Sequence, residues 1–154
     1  MKNFFRFLLP ILVALIVGWL SRQVQVIPLA EWYPTLLKPA FTPPDWIFPI
    51  VWCILYILMG ISAGLLLTSQ RTGARAALWL WGLQLVLNFV WTLCFFWWQS
   101  PLAGVIVLLL LLAAVIMFIV KAMRCHKAAA ILMLPYALWL AFAGYLNIWI
   151  MINN

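Results

Sequence analysis

Five stretches of this chain are each long and apolar enough to cross a lipid bilayer as a helix, and nothing else in the sequence restricts the fold so strongly. A helix rises 1.5 Å per residue, so about 20 apolar residues span a hydrocarbon core of about 30 Å. The stretches run from about Phe4 to Leu20, Trp46 to Leu67, Ala76 to Trp98, Leu102 to Val120 and Ala128 to Ile152. None alternates polar and apolar residues as the strands of a membrane barrel do. The expected fold is therefore all-α: one domain over residues 1–154, a bundle of five transmembrane helices.

Composition agrees. Of 154 residues, 69% are hydrophobic and 7% are charged, which is too much apolar surface for a water-soluble globule to hide. Lys2 and Arg6 before an apolar run also suit a signal peptide, but no small-x-small cleavage site follows, so a retained helix is expected.

The charges orient the bundle. Lys2, Arg6, Arg71, Arg75, Lys121, Arg124 and Lys127 fall on one side; Arg22 and Lys38 fall on the other, with both acids, Glu31 and Asp45. Basic loops stay in the cytoplasm, so the N-terminus is expected there and the C-terminus outside. The same rule accounts for the net charge of +7 without nucleic acid.

Much chemistry is excluded by count. One histidine, His126, and two acids leave no zinc motif, no carboxylate-rich metal centre and no plausible Ser-His-Asp triad. There is no phosphate-binding glycine loop. Cys53, Cys94 and Cys125 are odd in number and widely spaced, which is no disulfide framework. No metal and no obligatory cofactor is expected. The spans hold no deep ionisable group of the kind that couples pumps to ions.

Short links at Gln70–Arg75, Gln99–Pro101 and Met123–Lys127 make sequential helices antiparallel neighbours. The exception is the outer loop, Ser21–Asp45, with five prolines and with Trp32, Tyr33 and Phe41; it reads as an ordered lid. Pro135 should kink or loosen the start of the fifth span. The fourth has no polar residue through Val120 and reads as a lipid-facing or packing element.

The polar residues of interest are amides. Gln84 and Asn88 lie four apart and share a helix face with Trp81, Trp91, Thr92 and Phe95. An unpaired amide in hydrocarbon costs about 2–7 kcal/mol, so both must face protein, water or a ligand. An interhelical hydrogen bond is the commoner use. Trp52, Tyr56, Met59 and Ala63 share a face of the second helix, and Tyr136, Trp139, Ala143, Leu146 and Asn147 one of the fifth. Aromatic walls with an amide or two suit a flat, largely apolar ligand, although such residues also fill cores and membrane belts.

Three blocks carry a resemblance. Trp32-Tyr33 … Lys38-Pro39-Ala40-Phe41-Thr42-Pro43-Pro44-Asp45-Trp46-Ile47-Phe48-Pro49 … Trp52 … Leu55-Tyr56 resembles the first loop and second helix of the TspO/MBR family, the translocator or tryptophan-rich sensory proteins. Gln84-Leu85 … Asn88 … Trp91-Thr92 … Phe95-Phe96 resembles its third helix, and Pro135-Tyr136 … Trp139 … Phe142-Ala143 … Leu146-Asn147 its fifth. The blocks keep the family's order and cover almost the whole chain.

The resemblance implies a bacterial plasma-membrane protein, usually a homodimer, that acts as a receptor or sensor in tetrapyrrole handling or stress responses. It implies a pocket under the first loop for porphyrins such as protoporphyrin IX or haem, and for benzodiazepine-type compounds. By motif, Trp52 and Asn88 would meet the ligand's polar group, and Tyr33, Trp91, Trp139, Ala143 and Leu146 would line the cavity; Tyr56 and Gln84 join them as candidates by helix face. Transport of porphyrins, or their light-dependent degradation through Trp52 and Trp139, are the alternatives. The family's dimer contact uses small residues of the third helix, represented here by Gly73 and Ala77 before Trp81 breaks the series. No Lys or Arg follows Tyr145, so the sterol pattern of animal members is not matched.

Overall fold

A computed structural model describes the backbone of residues 2–154 and the side chains of residues 4–154. The side chain of Lys2, one of the cations in the charge bias, lies outside the described side chains. The described chain is helical throughout except for the lid and short links, and five of its helical segments are long and apolar enough to span a membrane.

Helix α1 runs from Lys2 to Glu31, well past the expected end at Leu20. The loop expected over Ser21–Asp45 is therefore helical through Glu31. Hydropathy marks where a chain leaves lipid, not where its helix stops, and no glycine interrupts Ser21–Glu31. Pro28 is tolerated because it falls in the last turn, where the Trp32 N–H still reaches its carbonyl at 3.0 Å. At 30 residues α1 is about 45 Å long, so its last turns, with Ser21, Arg22 and Gln25, extend beyond what hydrocarbon requires.

The lid that remains opens with a 3-10 turn at Tyr33–Thr35. It is tied down at its middle. The Leu37 N–H donates to Asn154 Oδ1 at 2.8 Å, and Asn154 Nδ2 donates to the Leu37 carbonyl at 3.2 Å. Lys38 Nζ donates to the Tyr33 carbonyl and lies 4.4 Å from the Tyr33 ring centre.

Helix α2 (Ile47–Thr68) carries Pro49 in its first turn, where no donor is missed. Gly60 and Gly64 let α1 approach closely: a side chain at Gly60 would strike the backbone of Ile11, and one at Gly64 the ring of Phe7. Helix α3 (Ala74–Thr92) continues into a π turn at Leu93–Trp97, closed by the Trp98 N–H on the Leu93 carbonyl at 2.9 Å. Both Phe95 and Phe96 are buried there, although adjacent in sequence.

Helix α4 (Pro101–Cys125) is capped by Ser100 and buries Leu108, Leu111, Val115, Phe118 and Ala122 at helical spacing between α3 and α6. Its other face, with Leu109, Leu110, Ile116 and Val120, is exposed. The fifth span is two helices, α5 (Lys127–Ile131) and α6 (Leu134–Asn153). Pro135 sits in the first turn of α6, so it ends one helix and starts the next instead of kinking a continuous one. Ala77 is completely buried inside the chain, whereas Gly73 is exposed beside Cys125, so the two do not form one outward contact face.

Candidate functional site

The lid and the adjoining halves of α1, α2, α3 and α6 line a cavity of about 670 Å³, within the usual size range of small-molecule sites, whose rim between α1 and α2 carries the exposed residues Trp19, Arg22, Val26, Pro49 and Cys53. Its wall includes Ser21, Arg22 and Gln25 from α1, Phe48, Trp52 and Tyr56 from α2, and Asn88, Trp91 and Thr92 from α3. The π turn adds Phe95 and Phe96, α6 adds Trp139, Ala143, Leu146 and Asn147, and the lid adds Tyr33 and Asp45.

Aromatic rings make one continuous side. Trp52 stacks on Trp91 with centroids 6.2 Å apart, and Trp91 stacks on Phe95 at 5.9 Å and 14°. Trp52 also meets Tyr56 at 5.6 Å and the edge of Tyr136 at 6.1 Å. The π turn gives this wall its upper end, since it turns both of its phenylalanines inward.

Hydrogen bonds close the floor. Tyr56 donates its hydroxyl proton to Asn88 Oδ1 at 2.7 Å, and Asn88 Nδ2 donates to the Tyr136 hydroxyl at 3.0 Å. Three helices are thereby joined at one depth. Higher on the wall, Trp91 Nε1 donates to Asn147 Oδ1 at 3.1 Å, and Asn147 Nδ2 donates to the Pro101 carbonyl at 3.0 Å. Gly104 makes room for that amide; a side chain there would crowd Asn147 Oδ1. Thr92 donates to the Asn88 carbonyl at 3.2 Å. Gln25 Nε2 lies 3.4 Å from the Thr92 hydroxyl, linking α1 to α3.

Two polar groups near the wall have no partner among the described residues: Ser21 Oγ and Trp139 Nε1. Ser21 Oγ comes near the Tyr56 hydroxyl without a hydrogen bond forming between them. A buried donor left unmatched costs about 1–3 kcal/mol. Trp139 packs on the core, edge-on to Phe48 at 5.8 Å and tilted on Phe142 at 5.7 Å.

At the mouth, burial first and the Asp45 charge second push the Tyr33 phenol up to about 12, so it stays neutral over the ordinary pH range. Tyr33 also packs on Phe96 at 6.0 Å, which seats the lid on the π turn. Among the described residues, no three His, Cys, Asp or Glu side chains cluster to hold a metal ion. The cavity offers stacking surfaces and fixed hydrogen-bonding groups.

Of the residues singled out from the sequence, Tyr33, Trp52, Tyr56, Asn88, Trp91, Trp139, Ala143 and Leu146 all line this one cavity. Gln84 does not. It is fully buried one turn beyond the floor, with Nε2 3.7 Å from the Met59 sulfur and Oε1 unpartnered. It shares the helix face of Asn88, as the spacing requires, but the Tyr56–Asn88–Tyr136 bridge ends the cavity above it. The residues that sequence reading passed over are mainly on α1. Ser21 and Gln25 sit at helical spacing, and that spacing was the available signal once the helix is continued past Leu20. Thr92 and Asn147, grouped by spacing with the faces of Asn88 and Ala143, also line the cavity.

Comparison with known proteins gives concordant matches. The sequence model of the TspO/MBR family matches residues 7–152. The chain is 36% identical over 142 residues to tryptophan-rich protein TspO of Chlorobaculum tepidum, covering 91% of this chain and 90% of that one. It is 35% identical over 152 residues to the protein of that name from Archaeoglobus fulgidus, covering 99% of each. The translocator protein of Bos taurus is 38% identical over 123 residues, 76% of this chain and 71% of that one.

Proposed function

Because the chain belongs to the TspO/MBR family, we propose that this membrane sensor protein works by holding a flat, largely apolar ligand of the porphyrin class, such as protoporphyrin IX or haem, beneath its lid. The observation that carries the reading is the stacked series Trp52–Trp91–Phe95 along one side of a 670 Å³ cavity. Such a wall offers a planar apolar molecule aromatic edges and the free ring faces at its ends, and the polar groups around it set the molecule's orientation.

Binding, with the signal passed on by lid and helices, is favoured over transport. The Tyr56–Asn88–Tyr136 bridge closes the cavity toward the basic end of the bundle. A transporter needs a second gate and a path beyond that bridge. The charge bias supports an N-terminus in the cytoplasm and a lid outside, and a bacterial plasma membrane belongs to the same reading. A homodimer is part of the same reading, with a contact face other than Gly73 and Ala77.

One observation supports a second activity. Trp52 and Trp139 both line the cavity, so a bound porphyrin excited by light would lie beside oxidisable indoles. Light-dependent loss of porphyrin, abolished in Trp52→Phe or Trp139→Phe, would establish it.

The deciding experiment is a dark titration of the protein with protoporphyrin IX, followed by tryptophan fluorescence, for wild type and Ala143→Phe. Saturable quenching is expected in the wild type and much weaker binding in the variant, whose added ring occupies the cavity. Equal, non-saturating quenching in both would mean partition into detergent or lipid, and the reading would be abandoned.

A further inference from the structure

The pocket described above is bounded by a lid and by seams between helices. Helices α1 and α2 pack closely in the deeper half of the bundle, where Gly60 and Gly64 meet Ile11 and Phe7, and α3 packs closely on α4 and α4 on α6; α2 and α6 scarcely approach each other. Their seam is closed by side chains: Phe48 against Trp139, and Trp52 against Tyr136. On the outer side of the same seam lies an apolar groove of about 500 Å³, walled by Ile54, Leu55 and Leu58 of α2 and by Pro135, Leu138 and Phe142 of α6. Ile54 and Leu138, on its rims, are strongly exposed, which in a spanning segment means exposed to lipid. Trp139 lines both this groove and the cavity, so its side chain is the partition between them.

We infer that the groove is the entrance to the pocket: the ligand, dissolved in the bilayer, passes between α2 and α6, with Trp139 as the movable gate. The inference rests on the binding reading above.

Three observations converge on it. No hydrogen bond among the described residues holds the gate: its indole N–H is buried without a partner, and the ring is kept in place by packing on Phe48, Phe142 and the core. A swing of the ring therefore breaks no hydrogen bond and gives the N–H a chance to find one. The groove matches the cargo, since a flat apolar molecule concentrates in hydrocarbon and meets there an apolar vestibule with the Trp139 side chain between it and the site. The competing route over the top is fastened, with both polar ends of the Asn154 side chain bonded to the Leu37 backbone and Lys38 bonded across Tyr33.

Stopped-flow fluorescence with protoporphyrin IX, on the full chain in lipid nanodiscs in the dark, tests this. The double variant Ile54→Trp/Leu138→Trp fills the groove from both rims without touching the cavity wall. It should slow association and dissociation together by about tenfold or more while leaving Kd nearly unchanged, because a portal alters the path and not the end states. Trp139→Leu should speed both steps. Asn154→Ala, which frees the lid, should change neither. Saturable binding with wild-type rates in the groove variant would overturn the portal and leave the binding reading standing, as would faster exchange in Asn154→Ala alone. An absence of saturable binding in the wild type would overturn the binding reading, and the portal with it.

Discussion

The side-chain amide of Asn88 donates to the Tyr136 hydroxyl across 3.0 Å, and so joins α3 to α6 at the floor of the cavity. Its oxygen is engaged as well, by Tyr56 at 2.7 Å. The amide is thus a bracket between three helices before it is anything to a ligand. Asn88→Ala should lower stability by about 1–3 kcal/mol, because two buried tyrosine hydroxyls lose their partner. The triple variant Asn88→Leu, Tyr56→Phe, Tyr136→Phe should recover much of that loss, since replacing all the partners leaves no buried group unsatisfied. Thermal unfolding in detergent checks this. A triple variant less stable than Asn88→Ala would contradict it.

The glycines of α2 offer a packing test. A methyl at Gly60 would collide with the Ile11 backbone, which cannot swing aside as a side chain can. Gly60→Ala should cost about 1–3 kcal/mol by overpacking and push α1 away from the cavity. At Gly82 nothing lies within 4 Å, so Gly82→Ala should be neutral or stabilise by up to about 1 kcal/mol through helix propensity. Measured side by side, the melting temperature of Gly60→Ala should fall while that of Gly82→Ala stays level or rises.

These two brackets also indicate what the sequence could tell. Five spans and most of the cavity wall follow from apolar length and helical spacing, because lipid forces every backbone group into a helix. Spacing placed Trp52 with Tyr56 and Gln84 with Asn88 on their faces correctly. It does not say at what depth a cavity stops, and so it groups Gln84 with a wall to which it does not belong. That depends on how Met59 and Tyr136 fill the space from other helices. The end of α1 escapes hydropathy for a related reason. Polarity after Leu20 reports contact with water, and Ser21 and Gln25 face a cavity instead of a loop. The π turn left no sequence signal, since its i→i+5 bond depends on backbone register.

Tyr33 makes the lid sensitive to strong alkali. Its phenol is pushed up from 10.0 to about 12, chiefly by burial and then by Asp45. With the lid released, the phenol ionises near its ordinary value; with the lid seated, it resists. The seated state is therefore unaffected below about pH 10 and loses about 2–3 kcal/mol as pH rises toward 12. Hydrogen exchange at the Leu36–Lys38 amides, followed against pH after correction for intrinsic rates, should accelerate across that window in the wild type. In Tyr33→Phe it should stay flat. An acceleration that persists in Tyr33→Phe would assign the effect to another group.

Gln84 separates the amide that serves the cavity from the one that serves only the core. It sits one turn below the floor, fully buried, with a weak bond to the Met59 sulfur and a carbonyl oxygen that meets no donor. An unsatisfied buried oxygen costs about 1–3 kcal/mol, whereas an apolar side chain of similar volume there would face Met59 without penalty. Gln84→Met should therefore be neutral or stabilising in thermal unfolding and should leave porphyrin affinity within about twofold of wild type. Asn88→Ala, four residues away on the same face, should weaken both. Lost porphyrin affinity in Gln84→Met would return that amide to the site and place the floor of the cavity one turn deeper than the Tyr56–Asn88–Tyr136 bridge.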